Sequence, residues 1–263
     1  MSTVVSADGT KIAYEVTGDG PPLIIVDGAM CYRDSGPARP LAAELAADFT
    51  VFAYDRRGRG DSPDAEFSPA REIEDVEALV KEAGGTAYLF GASSGAMLAL
   101  EAADNGVGAT KLAMYEPPLI VDGTHAPASE SELADMRALV AQDRRGEAVT
   151  AFMKSVDVPG FFVGMMKLLP VWKKLKGVAH TLPNDLALVD GLRQGRPFPR
   201  DRWTTTTMPT LVAAGGKSPA YMRNSAAALA EVLPNATHRI VAGQTHLVKA
   251  KALAPVLREF FLG

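Results

Sequence analysis

One cysteine, four histidines and no apolar run long enough to cross a bilayer are what this 263-residue chain has least of, and each shortage closes off a class of function. With Cys31 alone there is no internal disulfide and no cysteine metal cluster. His125, His180, His238 and His246 show no ligand spacing, so no metal is expected and the chemistry should need no cofactor. The opening residues Met1 to Thr10 contain neither a basic leader nor an apolar segment, which gives a cytoplasmic expectation. Lys and Arg (27) fall short of Asp and Glu (31) and are scattered along the chain, so no electrostatic footprint for nucleic acid or anionic lipid stands out. The expected partners therefore include no nucleic acid and no membrane, and a homodimer is left open. No G-x-x-x-x-G-K or G-x-G-x-x-G closes a strand, which removes phosphate-loop and dinucleotide sites.

What is present is the material of a large buried core: 47% hydrophobic and 22% charged residues. Short apolar runs recur at Thr3 to Ser6, Ile12 to Val16, Leu23 to Val26, Val51 to Tyr54, Ala87 to Phe90, Leu112 to Tyr115, Thr210 to Ala214 and His238 to Val241. The later runs are nearly continuous in apolar residues, as strands covered on both faces must be, and the first two alternate like an opening hairpin. Helices are expected at Leu41 to Ala47, Pro69 to Glu82, Ser94 to Asp104, Pro219 to Leu233 and Lys249 to Phe261. This rhythm predicts an α/β fold with a mostly parallel eight-stranded sheet.

Between Pro117 and about Met208 the strand rhythm stops. The expected division is a core of residues 1–117 and 208–263 with a helical lid inserted at 118–207, punctuated by Pro159-Gly160, Pro170 and Pro183. Phe152, Phe161, Phe162, Met165, Met166 and Trp172 from this insertion, with Met30, are the candidate substrate pocket, because flexible and aromatic apolar side chains suit an adaptable one. The same residues could equally serve only to pack the insertion onto the body.

The most informative stretch is Gly91-Ala92-Ser93-Ser94-Gly95, set between an apolar strand and an Ala/Leu-rich helix. A serine on so tight a strand-to-helix turn projects its hydroxyl out of the sheet, and glycines two positions either side leave room for the turn. Ser93 is the candidate nucleophile. A serine hydroxyl needs a neighbouring base, and His246, in the loop after the last strand, is the candidate.

With Gly91 to Gly95, the segment Tyr54-Asp55-Arg56-Arg57-Gly58-Arg59-Gly60-Asp61-Ser62 and the late histidine of Gly243-Gln244-Thr245-His246, the chain resembles the α/β-hydrolase family over nearly its whole length. The resemblance implies an α/β-hydrolase sheet, a structural turn at 54–62 and a Ser–His–acid triad. It also implies an acid on the loop after the seventh strand, but Gly215 to Tyr221 contains no carboxylate. Glu116, ending the sixth strand, stands where haloalkane dehalogenases, which resemble this chain in that feature alone, place their acid. It is expected either to orient His246 or to be a hinge carboxylate of the lid. By the same resemblance the backbone amides of Ala29 and Ser94 form the oxyanion hole, and Asp27 takes the place of the usual histidine. Asp27 is expected to brace its loop through backbone amides, or else to reach the site.

The function expected is cleavage of an ester or related acyl bond of a small to medium hydrophobic substrate through an acyl-enzyme. Two others remain from the same residues: a non-hydrolytic ligand-binding protein, supported by the missing acid, and a cofactor-free lyase or cyclase on the same fold.

Overall fold

The computed structural model describes residues 2–263. The chain runs through β1 (Ser2–Val5), β2 (Lys11–Thr17), β3 (Pro22–Val26), α1 (Ala38–Leu45), β4 (Thr50–Tyr54), α2 (Pro69–Glu82), β5 (Ala87–Ala92), α3 (Ser94–Asp104) and β6 (Ala109–Tyr115). A helical segment follows, with α4 (Glu132–Ala141), α5 (Arg145–Ser155), α6 (Gly160–Met166), α7 (Val171–Val178) and α8 (Leu182–Leu188). The chain closes with β7 (Thr210–Gly215), α9 (Ala220–Val232), β8 (Ala236–Val241) and α10 (Ala250–Leu262).

The eight strands form one sheet in the order β1-β2-β4-β3-β5-β6-β7-β8, with the β1–β2 and β2–β4 pairs antiparallel and the other five pairs parallel. The period-2 geometry of a strand sends alternate side chains to two separate cores. Ile24, Val26, Phe52, Tyr54, Leu112 and Met114 join one layer under α2 and α3, whereas Leu23, Ile25, Val51, Ala53, Ala113 and Tyr115 join the other under α1 and α10. Both faces of the central strands are therefore dry, which is why they read as continuous apolar runs.

Helix α2 begins on Ser68, whose hydroxyl accepts the Arg71 N–H at 3.2 Å, with Pro69 in the first turn where no N–H is needed. Helix α1 starts three residues earlier than its sequence pattern suggested. Pro40, at the third helical position, lacks only a donor that the first turn leaves unused.

At the carboxyl ends of the strands, β3 pairs with β5 so that Val26 lies opposite Gly91, and β6 lies between β5 and β7. The loops after β3, β5, β6 and β8 thus emerge on one edge, where open α/β sheets place their ligands.

Candidate active site

Ser93 sits between β5 and α3 with φ 55° and ψ −128°, a left-handed strain that L side chains rarely adopt. Its N–H donates to Tyr115 O at 2.9 Å and its carbonyl accepts the Ala96 N–H at 2.9 Å, so the turn is held on both sides. Only glycine fits at the flanking positions. A Cβ on Gly91 would strike the Gly95 carbonyl, and one on Gly95 would strike Val26 O.

Strain of this kind recurs around the serine. Met30 (φ 59°) and Glu116 (φ 47°) are also left-handed, so the loop after β3, the serine turn and the end of β6 each carry one such residue. Each costs roughly 1–3 kcal/mol, and the packing around this edge holds all three in place.

Glu116 is fully buried. Its Oε1 accepts the Gly215 N–H at 2.6 Å and its Oε2 lies 2.8 Å from His246 Nδ1. A carboxylate oxygen accepts, so the imidazole meets it with its Nδ1–H. The neighbouring Tyr115 hydroxyl donates to Thr245 O at 2.7 Å, which ties the His246 loop to the end of β6. Ser93 and His246 are thereby both anchored on the pair Tyr115–Glu116. Among the described residues no hydrogen bond joins the Ser93 hydroxyl directly to the imidazole.

The loop after β3 lies against the serine: a Cβ placed on Gly28 would fall 3.0 Å from Ser93 Cβ. Ala29 follows in this loop, and Ser94 is the first residue of α3, where the helix itself leaves the N–H unpaired. A buried guanidinium holds the loop's shape. Arg59 Nη1 donates to Gly28 O at 2.7 Å and to Cys31 O at 3.3 Å, bracketing Ala29 and Met30.

Sequence reasoning missed the partner of that arginine. Asp185, on α8, accepts from Arg59 Nη2 (2.7 Å), Arg56 Nη1 (2.7 Å) and the Ser94 hydroxyl (2.8 Å). Burial pushes its carboxyl up, but Arg59 and Arg56 outweigh this and hold it below the usual carboxylate range. The available signal was a lone acid inside Leu182–Leu188, with Leu182, Leu186 and Leu188 at helical spacing around it. Arg56 also makes paired bonds to Glu72 at 2.7 and 2.5 Å, so the arginines of the 54–62 turn act in packing the loops.

Asp27 does not brace its loop as expected. It is 2% exposed and neither carboxyl oxygen has a hydrogen-bond partner; the Ala38 amide points toward it without closing a bond. Burial pushes its carboxyl up to about 7, against the pull of Arg59 and Arg56. Cys31 is likewise pushed up to about 12 by burial, which leaves it a poor nucleophile.

The candidate pocket residues divide. Met30, Phe152 and Trp172 share one apolar cluster with Ala29 and the inner faces of α4, α5 and α8. Met166 is half-buried. Phe161, Phe162 and Met165 instead face solvent and do not line an enclosed pocket. The reason is geometric: α6 is a seven-residue helix that turns only Val163 fully inward, so its other apolar side chains point out.

A fold with one mostly parallel sheet, a strained serine after its fifth strand and a carboxylate-bound histidine after its last is that of an α/β hydrolase. The comparisons agree: the Alpha/beta hydrolase family profile matches residues 25–250, and the chain belongs to that enzyme family. An alpha/beta hydrolase from Sphaerobacter thermophilus DSM 20745 is 46% identical, with 99% of this chain and 100% of that one covered at a TM-score of 0.90. The hydrolase YraK of Bacillus subtilis (strain 168) is 36% identical over 98 residues, a match spanning 35% of each protein. A thermophilic esterase from Thermogutta terrifontis shares the fold at 19% identity, covering 99% of this chain and 97% of that one with a TM-score of 0.71.

Proposed function

We propose that this α/β hydrolase cleaves an ester or related acyl bond of a small to medium hydrophobic substrate through an acyl-enzyme on Ser93. The observation that carries the reading is the His246–Glu116 contact of 2.8 Å beside a left-handed serine. Glu116 holds the Nδ1 proton, and Nε2 takes the Ser93 proton as Oγ attacks the carbonyl carbon. In the resting state that last hydrogen bond is open; it closes as substrate enters, as catalytic hydrogen bonds often do.

The amides of Ala29 and Ser94 receive the charge that develops on the carbonyl oxygen, each worth about 3 kcal/mol in the transition state. The imidazolium then gives its proton to the departing alkoxide. Water, deprotonated by Nε2, attacks the acyl carbon, and the acid leaves with Ser93 restored. Met30, Phe152 and Trp172 supply the apolar wall for the substrate, and the inserted helices at 118–207 act as the lid. None of these steps calls on a metal or cofactor.

The test is hydrolysis of a series of p-nitrophenyl esters together with labelling by a serine-directed phosphonate. Ser93→Ala should lose about 10⁶-fold in kcat and all labelling. Glu116→Gln should lose about 10⁴-fold while its circular dichroism stays native, because the imidazole loses its orienting acceptor. Wild-type turnover in Ser93→Ala would end this reading, and a near-normal Glu116→Gln would remove the acid from it.

A further inference from the structure

The outward face of α6 needs an account, since large apolar side chains in water are disfavoured and a contiguous patch of them marks a contact surface. Phe161 is 70% exposed and Leu168 87%, with Phe162 and Met165 exposed between them and Leu169 exposed just beyond. These residues form one stripe. Helical bonds continue past α6, with Leu168 N–H on Met165 O and Leu169 N–H on Met166 O, so positions 161, 165 and 168 fall on the side opposite Val163.

The surroundings of the stripe are cationic. Residues 158–184 contain no Asp or Glu and four lysines, Lys167, Lys173, Lys174 and Lys176, in a chain whose net charge is −4. All four lysines are exposed, and among the described residues none forms an ion pair. Beside them a groove of about 740 Å³ is lined by Lys154, Lys167, Lys176 and Trp172. The two acids that also line it, Asp143 and Glu147, are occupied by Arg145 and Arg144. Its free charge is therefore positive.

This pairing of an apolar stripe with a basic rim discriminates between occupants. A second copy packed face to face would set lysines against lysines, because a two-fold interface brings the same patch to itself. An anionic surface neutralises them. We infer that the α6–α7 face docks the protein on the surface of an anionic phospholipid bilayer, with the apolar stripe at the acyl boundary and the lysines among the lipid phosphates. The contact is peripheral: among the described residues no helix is long and apolar enough to cross a membrane. The whole-chain charge balance hides this face because acidic residues elsewhere cancel it.

The inference is independent of the chemistry at Ser93, and its test does not use turnover. The full-length protein is sedimented with phosphatidylcholine vesicles with and without phosphatidylglycerol. Partitioning should rise at least about ten-fold with phosphatidylglycerol and fall with added salt. The double variant Lys173→Glu/Lys174→Glu should lose at least about ten-fold, since each basic residue contributes roughly five-fold near such a surface. Leu168→Ser should also weaken binding, and since all three positions are exposed, both variants should keep native circular dichroism. Equal partitioning into the two vesicle types, or wild-type binding by these variants, would overturn the inference. A dimer in sedimentation velocity that Leu168→Ser dissociates, without vesicle binding, would overturn it in favour of a second copy on this face.

Discussion

A carboxyl group with no hydrogen-bond partner and 2% exposure is costly to ionise, and Asp27 carries that cost in the folded state alone. Its folded value near 7 lies above the usual 3.8, so the folded protein holds this proton over a pH range where the unfolded chain has lost it. Stability from this group is complete below pH 4 and drains away as pH rises to about 7. Three pH units at about 1.4 kcal/mol each set a ceiling of about 4 kcal/mol. Asp27→Asn should therefore match wild type in urea unfolding near pH 4, gain on it steadily up to pH 7 and stay ahead by a constant amount above. A difference independent of pH would show that the carboxyl is not titrating as its surroundings dictate. Asparagine keeps the shape, so packing is not what the comparison reads.

At the scale of elements, the helical insertion is fastened to the core through one side chain. Asp185 on α8 receives Arg56 and Arg59 from the loop after β4 and the Ser94 hydroxyl from the first turn of α3. Arg59 in turn holds the carbonyls of Gly28 and Cys31 in the loop after β3. Replacing Asp185 by Asn removes the charge that balances two buried guanidiniums, a loss of about 3–5 kcal/mol. The urea midpoint should fall accordingly. If the network also holds the Ala29 and Ser94 amides in place, kcat for a chromogenic ester should drop about 10²-fold with KM little changed, the effect of a small misplacement at the reacting centre. A stability loss with kcat intact would confine Asp185 to fastening the helices.

At the scale of the whole molecule, the sheet separates two dry layers, and the cost of a cavity depends on which residue leaves it. Leu112, in the middle of β6, is fully buried, whereas Leu168 is 87% exposed. Leu112→Ala should cost about 2–5 kcal/mol and lower Tm by roughly 4–20 °C, while Leu168→Ala should stay within about 0.5 kcal/mol of wild type. Comparable shifts in calorimetry for the two would contradict the packing described.

The eight strands and the helices Pro69–Glu82 and Ser94–Asp104 could be read from sequence because each is set by short-range demands: alternation in the two opening strands, unbroken apolar runs in the covered ones, helical periodicity, and glycines around a tight bend. The strained turn at Ser93 belongs to the same group, since Gly91 and Gly95 announce it within five residues. The contact between Glu116 and His246 spans 130 residues, and the sequence offered Glu116 only as one of two readings. Its place was decided by β7, whose Gly215 amide turns the carboxylate toward the loop after β8. The outward turn of Phe161 and the burial of Asp185 are of that second kind. Periodicity says that a helix has an apolar side, but which side meets the body depends on the neighbours that the fold brings to it, and only the assembled sheet and its helices supply those.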